Sequence, residues 1–490
     1  MAASRAAPFR LGLHRSPGGG ALSDWSHEAW TVSPGLGGGT GGGMERIGPR
    51  TGTDPPRWSM ARAADTTSKR PSSRRPSPKR IDPAIPVCVI DIGSNSGRGV
   101  VFRVGEDGQV EILSDARAPL RLVERLRGKR RLGKRAIDRT LAVLRDFRAI
   151  AEGAGAAPTL AVATSAVREA EDAAVLLDRA RDEIGVDIEV IDGVREARIA
   201  FLGAIHGLPV EAGLLVDVGG GSIQITRFGG RRCLDAWSLP LGALRVTKRF
   251  LRSDPPRSQE IQRLRRAVMD ALQEAGIPSI GSGEVVVGTG GTIRNLAKID
   301  FRRRTYPIRR LHGYLLTRSR IHEASGQLLG RSLRRRRAIP GLNADRADSI
   351  VGGCVAVEAL LDHVGARELQ VAGRGLREGL LFDALGLEPP PAAVVRTESI
   401  AALASRFSTW RKQTAERRVA LVRILREALE PDARADLCEF LDHAAAILDV
   451  GKSIDYYQRH LHAARILTAT DLSGFAHRGI AFLAAVVLFA

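Results

Sequence analysis

The sequence predicts an α/β protein that contains two matched strand–turn–strand units and ends in an all-helical part. The first unit, VCVIDIGSNSGRGVVFRV (87–104), places Asp91 and a Gly/Ser turn between two apolar runs with strand composition. The second, LLVDVGGGSIQITRFGG (214–230), repeats this plan around Asp217. Further strand patterns alternate with helical patterns along the chain, which is typical of an α/β core. Two such loops in one chain suggest one shared site.

Composition limits the class of protein and its partners. The 490 residues are 44% apolar, which is enough for sizeable hydrophobic cores. A formal net charge of +20 favours polyanionic partners. Aromatic residues make up only 4% of the chain and do not interleave with the basic runs, which argues against base-stacking recognition of nucleic acid.

Cysteine usage and hydropathy indicate the compartment. The four cysteines are far apart and show no metal-type pair spacing, which favours a reduced, cytoplasmic protein. No apolar run reaches the length of about 20 residues that a membrane-spanning helix needs, so a membrane partner is not expected. The sequence leaves a monomer and a homodimer open.

Changes in composition divide the chain into four segments. Residues 1–85 are rich in Gly, Pro, Ser and Arg, and we expect them to be disordered because they cannot bury enough apolar surface. The α/β part comprises a first subdomain over 86–208 and a second over 209–388. The proline-rich linker GLEPPPAAVV (386–395) leads to a helical module over 396–490.

The elements of the α/β part follow in order from periodicity and turn residues. After the first hairpin, the patterns predict a basic helix (136–153), a strand (159–167), a helix in AEDAAVLLDRARDEIG, a short strand DIEVID and a helix beginning near VREARIAFLGAIHG. After the second hairpin, they predict further helices, a strand–glycine turn–helix unit (284–299), a helix in RADSIVGGCVAVEALLDHVG and a last such unit in ELQVAGRGLREGLLFDALG.

The two hairpin loops have the chemistry of phosphate binding. Neither is a P-loop, and neither is a dinucleotide fingerprint, because a strand rather than a helix follows each loop. Glycine lets backbone N–H groups approach phosphate oxygens, and an Asp at the strand end can hold a hydrated divalent cation or orient water. A single loop of this kind can equally be a tight turn capped by its own side chains. The second copy and the two later strand–glycine units favour a phosphate site.

The pattern resembles the actin-like ATPase (ASKHA) fold, in which two duplicated subdomains face each other across a phosphate cleft. Within that superfamily, the sequence is similar to the exopolyphosphatase / guanosine pentaphosphate phosphohydrolase (Ppx/GppA) family. The matching segments, in the family's order, are DIGSNSGR, ATSAVREA, REARIAFLG, VDVGGGS, GTGGT, RADSIVGG and GLREGLL. The resemblance implies Mg²⁺-dependent hydrolysis of the terminal phosphoanhydride of inorganic polyphosphate or a guanosine polyphosphate.

The resemblance also implies roles for individual residues. Glu196, in REAR, is expected to act as general base on the attacking water, and Asp217 to belong to the catalytic centre. Asp91 and Asp217 are expected to hold Mg²⁺. Taken alone, Glu196 would be a surface residue of an amphipathic helix. The expected phosphate-binding residues are Ser94, Asn95, Ser96, Arg98, Arg168, Gly219, Gly220, Gly221, Ser222, Gly290 and Arg377.

Two departures from the family pattern bear on activity. Gln224 stands where relatives usually carry glutamate, and its neutral amide cannot add charge to a metal site. The C-terminal module resembles an HD-type domain, but Leu448 and Asp449 occupy the position of its metal-binding His–Asp pair. We therefore expect residues 396–490 to be non-catalytic. The module also contains His460, His462 and His477. These histidines either extend a polyphosphate path or are ordinary solvent or core residues.

Four functions remain in competition. The first is an exopolyphosphatase that releases orthophosphate processively, with the basic runs 121–135, 301–310 and 329–337 lining the approach, although each run alone could be a solvated face or loop. The second is a guanosine pentaphosphate 5′-phosphatase. The third is a non-catalytic sensor of polyphosphate or alarmones, suggested by Gln224 and the lost His–Asp pair. The fourth is a sugar or acid kinase of the same superfamily, against which the REAR segment argues.

Overall fold

The computed structural model describes Asp82 and residues 85–105, 110–124, 126, 130–304, 306–308 and 310–490. These residues fall in one compact unit. Apart from Asp82 and Ile85, the predicted disordered segment 1–85 lies outside the described residues. No helix of the described part is long and apolar enough to cross a membrane.

A first sheet of five strands carries the first of the two loops. Its strands are β1 (Val87–Ile92), β2 (Ser96–Val104), β3 (Val110–Pro119), β4 (Thr159–Ala163) and β5 (Ile188–Val190), in the spatial order β3-β2-β1-β4-β5. The pairs β3–β2 and β2–β1 are antiparallel, whereas β1–β4 and β4–β5 are parallel.

A second sheet of six strands repeats this arrangement. Its strands are β6 (Gly213–Val218), β7 (Ile223–Gly229), β8 (Arg232–Leu239), β9 (Val285–Thr289), β10 (Leu315–Thr317) and β11 (Glu368–Val371), in the order β10-β11-β9-β6-β7-β8. The run β8-β7-β6 is antiparallel and β6-β9-β11 is parallel, as in the first sheet. The predicted duplicated, actin-like α/β fold is thus confirmed.

Helices cover both sheets and form the C-terminal module. In the α/β part they are α1 (Lys134–Gly153), α2 (Ser165–Arg168), α3 (Ala173–Ile184), α4 (Gly193–His206), α5 (Ala243–Phe250), α6 (Ser258–Glu274), α7 (Gly290–Arg302), α8 (Arg318–Leu329), α9 (Leu333–Arg336), α10 (Ile350–Val364) and α11 (Leu376–Leu385). In the module they are α12 (Ala392–Ser405), α13 (Lys412–Leu429), α14 (Ala435–Ile447), α15 (Arg459–Ala469) and α16 (His477–Phe489). Short 3₁₀ turns lie at 122–124, 344–346 and 448–453.

Three details differ from the sequence predictions. The strands β3 and β8 were not predicted, because each is largely exposed and lacks a regular apolar alternation. The strand predicted over 159–167 ends at Ala163, and α2 follows it. The predicted linker 386–395 is shorter, since α12 begins at Ala392, where a good helix former follows Pro391 with its fixed φ.

The first sheet is buried on both faces. On one face, Ile90 of β1 lies in a cluster with Leu141 of α1 and Leu176 of α3. On the other face, Val89 lies in a cluster with Ile199 of α4 and Leu381 of α11. The last helix of the α/β part therefore packs on the first sheet, next to the strand with which that part begins.

Helix α4 lies between the two sheets. Ile199 packs towards the first sheet, whereas Phe201 and Ile205 join a cluster with Phe228 of the second sheet. The rings of Phe201 and Phe228 have centroids 5.6 Å apart. Both faces of α4 are consequently fixed, and so is the position of its first turn.

Helices α4 and α11 touch through their backbones. A Cβ atom at Gly203 would overlap the carbonyl oxygen of Gly375, and one at Gly379 would overlap that of Ile199. Only glycine allows this approach, because any side chain would force the two helices apart.

Replacing Gly379 with alanine should therefore destabilise the protein. We expect Gly379→Ala to lower the free energy of unfolding by about 1–3 kcal/mol through overpacking. The control is Gly326→Ala in α8, where a Cβ would have no neighbour within 4 Å, and which should gain about 0.5–1 kcal/mol. Urea unfolding of both variants measures the difference, and equal free energies would contradict the backbone contact.

The C-terminal module docks on the second half of the α/β part. Its core contains Leu403, Ile447, Leu467 and Leu483, and Ile308 from the α/β part inserts into the same cluster. Two buried histidines contribute to the polar part of this contact. His477 pairs through Nε2 with the carbonyl oxygen of His312, at 2.9 Å.

His312 fits this joint only as a neutral ring. Its Nε2–H donates to the carbonyl oxygen of Gly207 at 2.7 Å, and its Nδ1 accepts from the N–H of Gly373 at 3.2 Å. Protonation at Nδ1 would abolish the second hydrogen bond. Burial, together with the nearby cation Arg374, lowers the pKa of His312 to about 4. Burial likewise lowers the pKa of His477 to about 4.

Stability should consequently fall in mild acid. Between pH of about 6.5 and 4 the unfolded chain protonates these histidines and the folded protein does not, so each costs about 1.4 kcal/mol per pH unit. Above a pH of about 6.5 the histidines are neutral in both states, so this loss of stability is absent there. In His312→Gln, whose amide does not titrate, the free energy of unfolding should depend less steeply on pH in this window. Urea unfolding at several pH values tests this, and an unchanged slope would contradict it.

Candidate active site

A cavity of about 440 Å³ lies where the two halves of the α/β part meet. It is formed by the loops after β1 and β6, the first turns of α4, α7 and α11, and residues 343–346. Of the predicted site residues, all but Arg168 line it: Asp91, Ser94, Asn95, Ser96, Arg98, Glu196, Asp217, Gly219, Gly220, Gly221, Ser222, Gly290 and Arg377.

The loops after β1 and β6 have the same turn. In the first, the N–H of Gly93 donates to the carbonyl oxygen of Ser96 at 3.1 Å; in the second, Gly219 donates to Ser222 at 3.0 Å. Equivalent chain positions thus have equivalent hydrogen bonds, as expected for a duplicated unit.

The two turns approach each other closely. A Cβ at Gly221 would lie 2.5 Å from Ser94 Oγ and 2.6 Å from Ser165 Oγ, and one at Gly220 would lie 3.0 Å from the Cβ of Asn95. Side chains at these glycines would fill the space between the turns, where backbone N–H groups and hydroxyls can reach an anion.

Three carboxylates converge on the cavity. Asp91 and Asp217 occupy matching positions in β1 and β6, and Glu196 lies in the first turn of α4. Burial raises the pKa of all three, to about 6 for Asp91 and about 8 for Glu196. The charge of Asp217 raises the pKa of the other two further. Carboxylates that destabilise one another's charge favour a cation or a proton among them.

Arg168 lies behind Glu196 instead of lining the cavity. Its Nη1 donates to the carbonyl oxygen of Ile191 at 2.6 Å and to Glu196 Oε2 at 3.3 Å. The guanidinium therefore opposes the rise in the pKa of Glu196 that burial causes. In this arrangement Arg168 orients the carboxylate, and its expected phosphate contact stays a prediction.

The aspartates fit a hydrated magnesium ion better than a closed protein cage. Asp91 Oδ1 is buried and has no hydrogen-bond partner, and an acceptor of this kind is free to bind a cation. Among the described residues, no group of three or more His, Cys, Asp or Glu side chains could hold a metal ion. Mg²⁺ usually takes one or two carboxylates and completes its shell with water and phosphate oxygens. Asp91 and Asp217 are a suitable pair for this mode of binding.

Positive charge surrounds the carboxylates. The cations that line the cavity are Arg98, Arg117, Arg294, Lys298, Arg346 and Arg377. Burial, with the neighbouring cation Arg377, lowers the pKa of Arg294 to about 10. Burial and Arg117 lower the pKa of Arg346 to about 10. Cations that destabilise each other in this way are stabilised by a bound polyanion.

Sequence reasoning identified only Arg98 and Arg377 among these six cations. Arg294 and Lys298 are one helical turn apart on α7, directly after the predicted glycine turn, and this spacing could have indicated them. Arg346 lies within the quoted segment RADSIVGG. Arg117 lies on β3, a strand that the sequence did not predict.

Gln224 also lines the cavity, at the position in the second unit that corresponds to Arg98 in the first. Its Nε2 donates to Ser222 Oγ at 2.8 Å and to Ser238 Oγ at 3.2 Å. Since Ser222 Oγ accepts this hydrogen bond, its own O–H can donate to a ligand. Gln224 thereby orients the hydroxyl of Ser222 as a hydrogen-bond donor towards the cavity.

The basic runs contribute unequally. None of the described residues of 329–337 lines the cavity; Arg336, for example, is buried and pairs with Asp254 at 2.8 Å. The described residues of 121–135 do not line it either. Described residues of the run 301–310 border a neighbouring cavity.

The C-terminal module contributes no lining residue among those described. His477 is a packing residue at the joint, and neither His460 nor His462 lines the cavity. Asp449 is held by ion pairs with Arg418 and Lys452. The non-catalytic role expected for the module and its likeness to an HD-type domain both stay predictions.

Comparisons with known proteins agree with this geometry. The profile of the Ppx/GppA phosphatase family matches residues 100–388, and that of Ppx/GppA phosphatase, domain III, matches residues 395–490. Exopolyphosphatase 1 of Mycobacterium tuberculosis is 31% identical over 320 residues, which cover 64% of this chain and 92% of that protein. The Mycobacterium leprae protein of the same name is 31% identical over 313 residues, covering 63% and 92%.

Solved structures extend the likeness to three dimensions. The crystal structure of the Aquifex aeolicus member of the Ppx/GppA family is 29% identical with a TM-score of 0.54, and the match covers 61% of this chain and 97% of that one. An exopolyphosphatase from Cytophaga hutchinsonii is 28% identical with a TM-score of 0.56, covering 62% and 99%. The match of both sequence segments and fold, around a cavity lined by two matched glycine turns, means that this chain belongs to the Ppx/GppA phosphatase family and is a phosphoanhydride hydrolase.

Proposed function

We propose that the protein is a Mg²⁺-dependent exopolyphosphatase that releases orthophosphate from the end of inorganic polyphosphate. The observation that carries this proposal is that two matched glycine turns, three carboxylates and six cations line the same cavity. The number of cations suits a substrate with closely spaced charges. A cytoplasmic location belongs to the same proposal and is supported by four free cysteine thiols.

In this mechanism the turns hold the terminal phosphoryl group. Backbone N–H groups of the two glycine turns and the hydroxyls of Ser94 and Ser222 donate to its oxygens, and Arg377 balances their charge. A Mg²⁺ ion held by Asp91 and Asp217 would neutralise further phosphate charge when bound.

Glu196 would act on the water. Its carboxylate accepts a proton as the water oxygen forms a bond to the terminal phosphorus, and the bond from phosphorus to the bridging oxygen breaks. The shortened chain leaves with the electron pair of that bond on its new terminal oxygen, and orthophosphate is the other product. Burial raises the pKa of Glu196 to about 8, so its proton affinity suits a base that works near neutral pH.

The amide Glu196→Gln should abolish this step while leaving binding nearly intact. We expect orthophosphate release from polyphosphate to fall by about 10²–10⁴-fold, with polyphosphate affinity nearly unchanged. The matched control is Glu189→Gln on β5, an exposed carboxylate outside the cavity, which should retain full activity. Unchanged release by Glu196→Gln would refute the assignment of the base.

The choice of substrate separates the alternatives. Polyphosphate and guanosine pentaphosphate, assayed in parallel with Mg²⁺, distinguish an exopolyphosphatase from a 5′-phosphatase of guanosine pentaphosphate. Binding without release from either would favour the sensor, for which the neutral Gln224 in the cavity is the motivating observation. In that case Gln224→Glu would show whether a further carboxylate restores turnover.

The pH profile should report the contact between Arg168 and Glu196. Glu196 must be ionised to accept a proton, so kcat/KM should fall as the pH drops, with a midpoint well above the usual carboxyl range. Because the guanidinium lowers the pKa of Glu196, Arg168→Gln should raise that pKa and move the midpoint to higher pH. The three carboxylates of the cavity are coupled, so the midpoint describes the titration of the three together and is not the pKa of Glu196 alone.

The control for this profile is Arg179→Gln, because Arg179 is an arginine of α3 that pairs with Asp138 and Glu183 outside the cavity. Its pH profile should coincide with that of the unmodified protein. A midpoint for Arg168→Gln that stays in place or moves to lower pH would contradict the proposed role of Arg168.

A further inference from the structure

The second glycine turn presents its carbonyl oxygens to helix α5. The carbonyl oxygen of Gly219 accepts a hydrogen bond from the N–H of Ala243 at 2.9 Å, and that of Gly220 accepts one from the N–H of Arg245 at 3.1 Å. The carbonyl oxygen of Gly221 accepts a third from Nε of the Arg245 side chain, at 2.7 Å. Three consecutive peptide groups of the turn are therefore held from the same side.

The N–H groups of these peptides point the other way. In a planar trans peptide group the C=O and N–H bonds are antiparallel, so the N–H groups of Gly220, Gly221 and Ser222 face away from α5. All three residues line the active-site cavity, whereas none of the described residues of α5 does. These three N–H groups have no acceptor in the part of the chain that the structure describes. The turn is thus arranged to present donors to an anion in the cavity.

The peptide group that follows Gly221 depends on a side chain. At the equivalent position of the first turn, the carbonyl oxygen of Asn95 accepts from two backbone N–H groups, those of Leu120 at 3.0 Å and Arg121 at 2.9 Å. Gly221 has no such backbone donor among the described residues, and Arg245 alone holds its carbonyl oxygen. Because glycine restricts its backbone angles little, loss of this hydrogen bond would let the peptide group rotate.

Arg245 also ties the second turn to the first half of the α/β part. Its Nη2 donates to Glu169 Oε1 at 2.6 Å and to Ser165 Oγ at 3.3 Å. Ser165 Oγ in turn donates to Glu169 Oε1 at 3.0 Å. Ser165 begins α2, which also carries Arg168, the partner of Glu196. One guanidinium consequently links the second turn to the helix that orients the proposed base.

We propose that Arg245 is a positioning residue for phosphoanhydride hydrolysis: it holds the peptide group between Gly221 and Ser222 so that the N–H of Ser222 points at the bound phosphoryl group. Arg245 does not line the cavity, so it acts through the turn and touches no substrate. The inference rests on the proposed anion-binding role of the turns. A donor that is fixed before the reaction stabilises charge on the phosphoryl oxygens better than one that must first be ordered.

Three variants separate positioning from charge and from folding. Arg245→Gln removes the guanidinium and with it both contacts. Arg245→Lys keeps the charge but lacks the planar fork that presents two donors in fixed directions, and it decides the question if Arg245→Gln does not fold. The matched control is Arg249→Gln, which changes the net charge equally at an exposed residue one turn further along α5, outside the cavity.

Calorimetric titration with orthophosphate gives the affinity and the number of binding sites, and polyphosphate hydrolysis gives kcat per site. Arg245→Gln should weaken orthophosphate binding by about fivefold, as expected for one hydrogen bond. It should lower kcat per site by at least about tenfold, since removing such a donor outright costs about 10²–10³-fold. Arg245→Lys should also bind orthophosphate more weakly than the unmodified protein, and Arg249→Gln should match that protein in both quantities.

A purely structural role of Arg245 would give a different result. It would lower the number of binding sites and the free energy of unfolding, but the folded molecules would keep the affinity and the kcat per site of the unmodified protein. That result would overturn the inference. Full affinity in Arg245→Lys would overturn it as well, because charge alone would then suffice.

The outcomes also separate this inference from the proposed function. If polyphosphate is hydrolysed but both Arg245 variants bind orthophosphate like the unmodified protein, the inference fails and the proposed function stands. If polyphosphate is not hydrolysed, yet only the Arg245 variants lose affinity for orthophosphate, the inference holds and the proposed function fails. If the unmodified protein binds no orthophosphate, the anion-binding role of the turns is refuted, and the inference with it.

Discussion

The backbone contact between α4 and α11 is the constraint on which the active-site cavity depends. The two helices approach through Gly203 and Gly379, and α4 is packed between the two sheets. Glu196 lies in the first turn of α4, and Arg377 in the first turn of α11. The spacing between the proposed base and the proposed phosphate-binding cation is thus set by the positions of two helices, each fixed by apolar packing. A precise polar site is held by side chains that take no part in its chemistry.

The electrostatics of the cavity follow from the same packing. Burial by itself would leave three carboxylates and six cations in unfavourable surroundings, because each charge loses hydration when it is removed from water. The protein compensates only in part: Asp115 pairs with Arg98, and Arg168 with Glu196, whereas Asp91 Oδ1 has no partner. The proposed ligands, an anion on the cations and a metal ion on the aspartates, would satisfy the charges of both signs.

Hydrophobic periodicity made the duplicated core predictable from the sequence. The edge strands and most cations of the cavity depend on tertiary packing and were not predicted. The hairpins around Asp91 and Asp217 have buried strands with uninterrupted apolar residues, so local pattern and final structure agree. The edge strands β3 and β8 carry mixed polar sequences and are held by their neighbours, which no local pattern reveals. Glycines and aspartates of the loops could be identified because two loops repeat the same residue types at the same positions. Arg117 could not, since arginine is abundant here and β3 has no regular apolar pattern, so only the fold separates this cation in the cavity from one on the surface.

The C-terminal module illustrates how a part without catalytic residues can affect a neighbouring site. Its docking buries Ile308 and His312 of the α/β part against the module's hydrophobic core and His477, and both histidines are neutral at pH 7. What it adds is a fixed position for Arg310, through Asp471 and two backbone carbonyls. Because these acceptors hold Arg310, its guanidinium loses its conformational freedom when the module docks. A part of the chain that lines no wall of the active-site cavity thus orders a cation close to it.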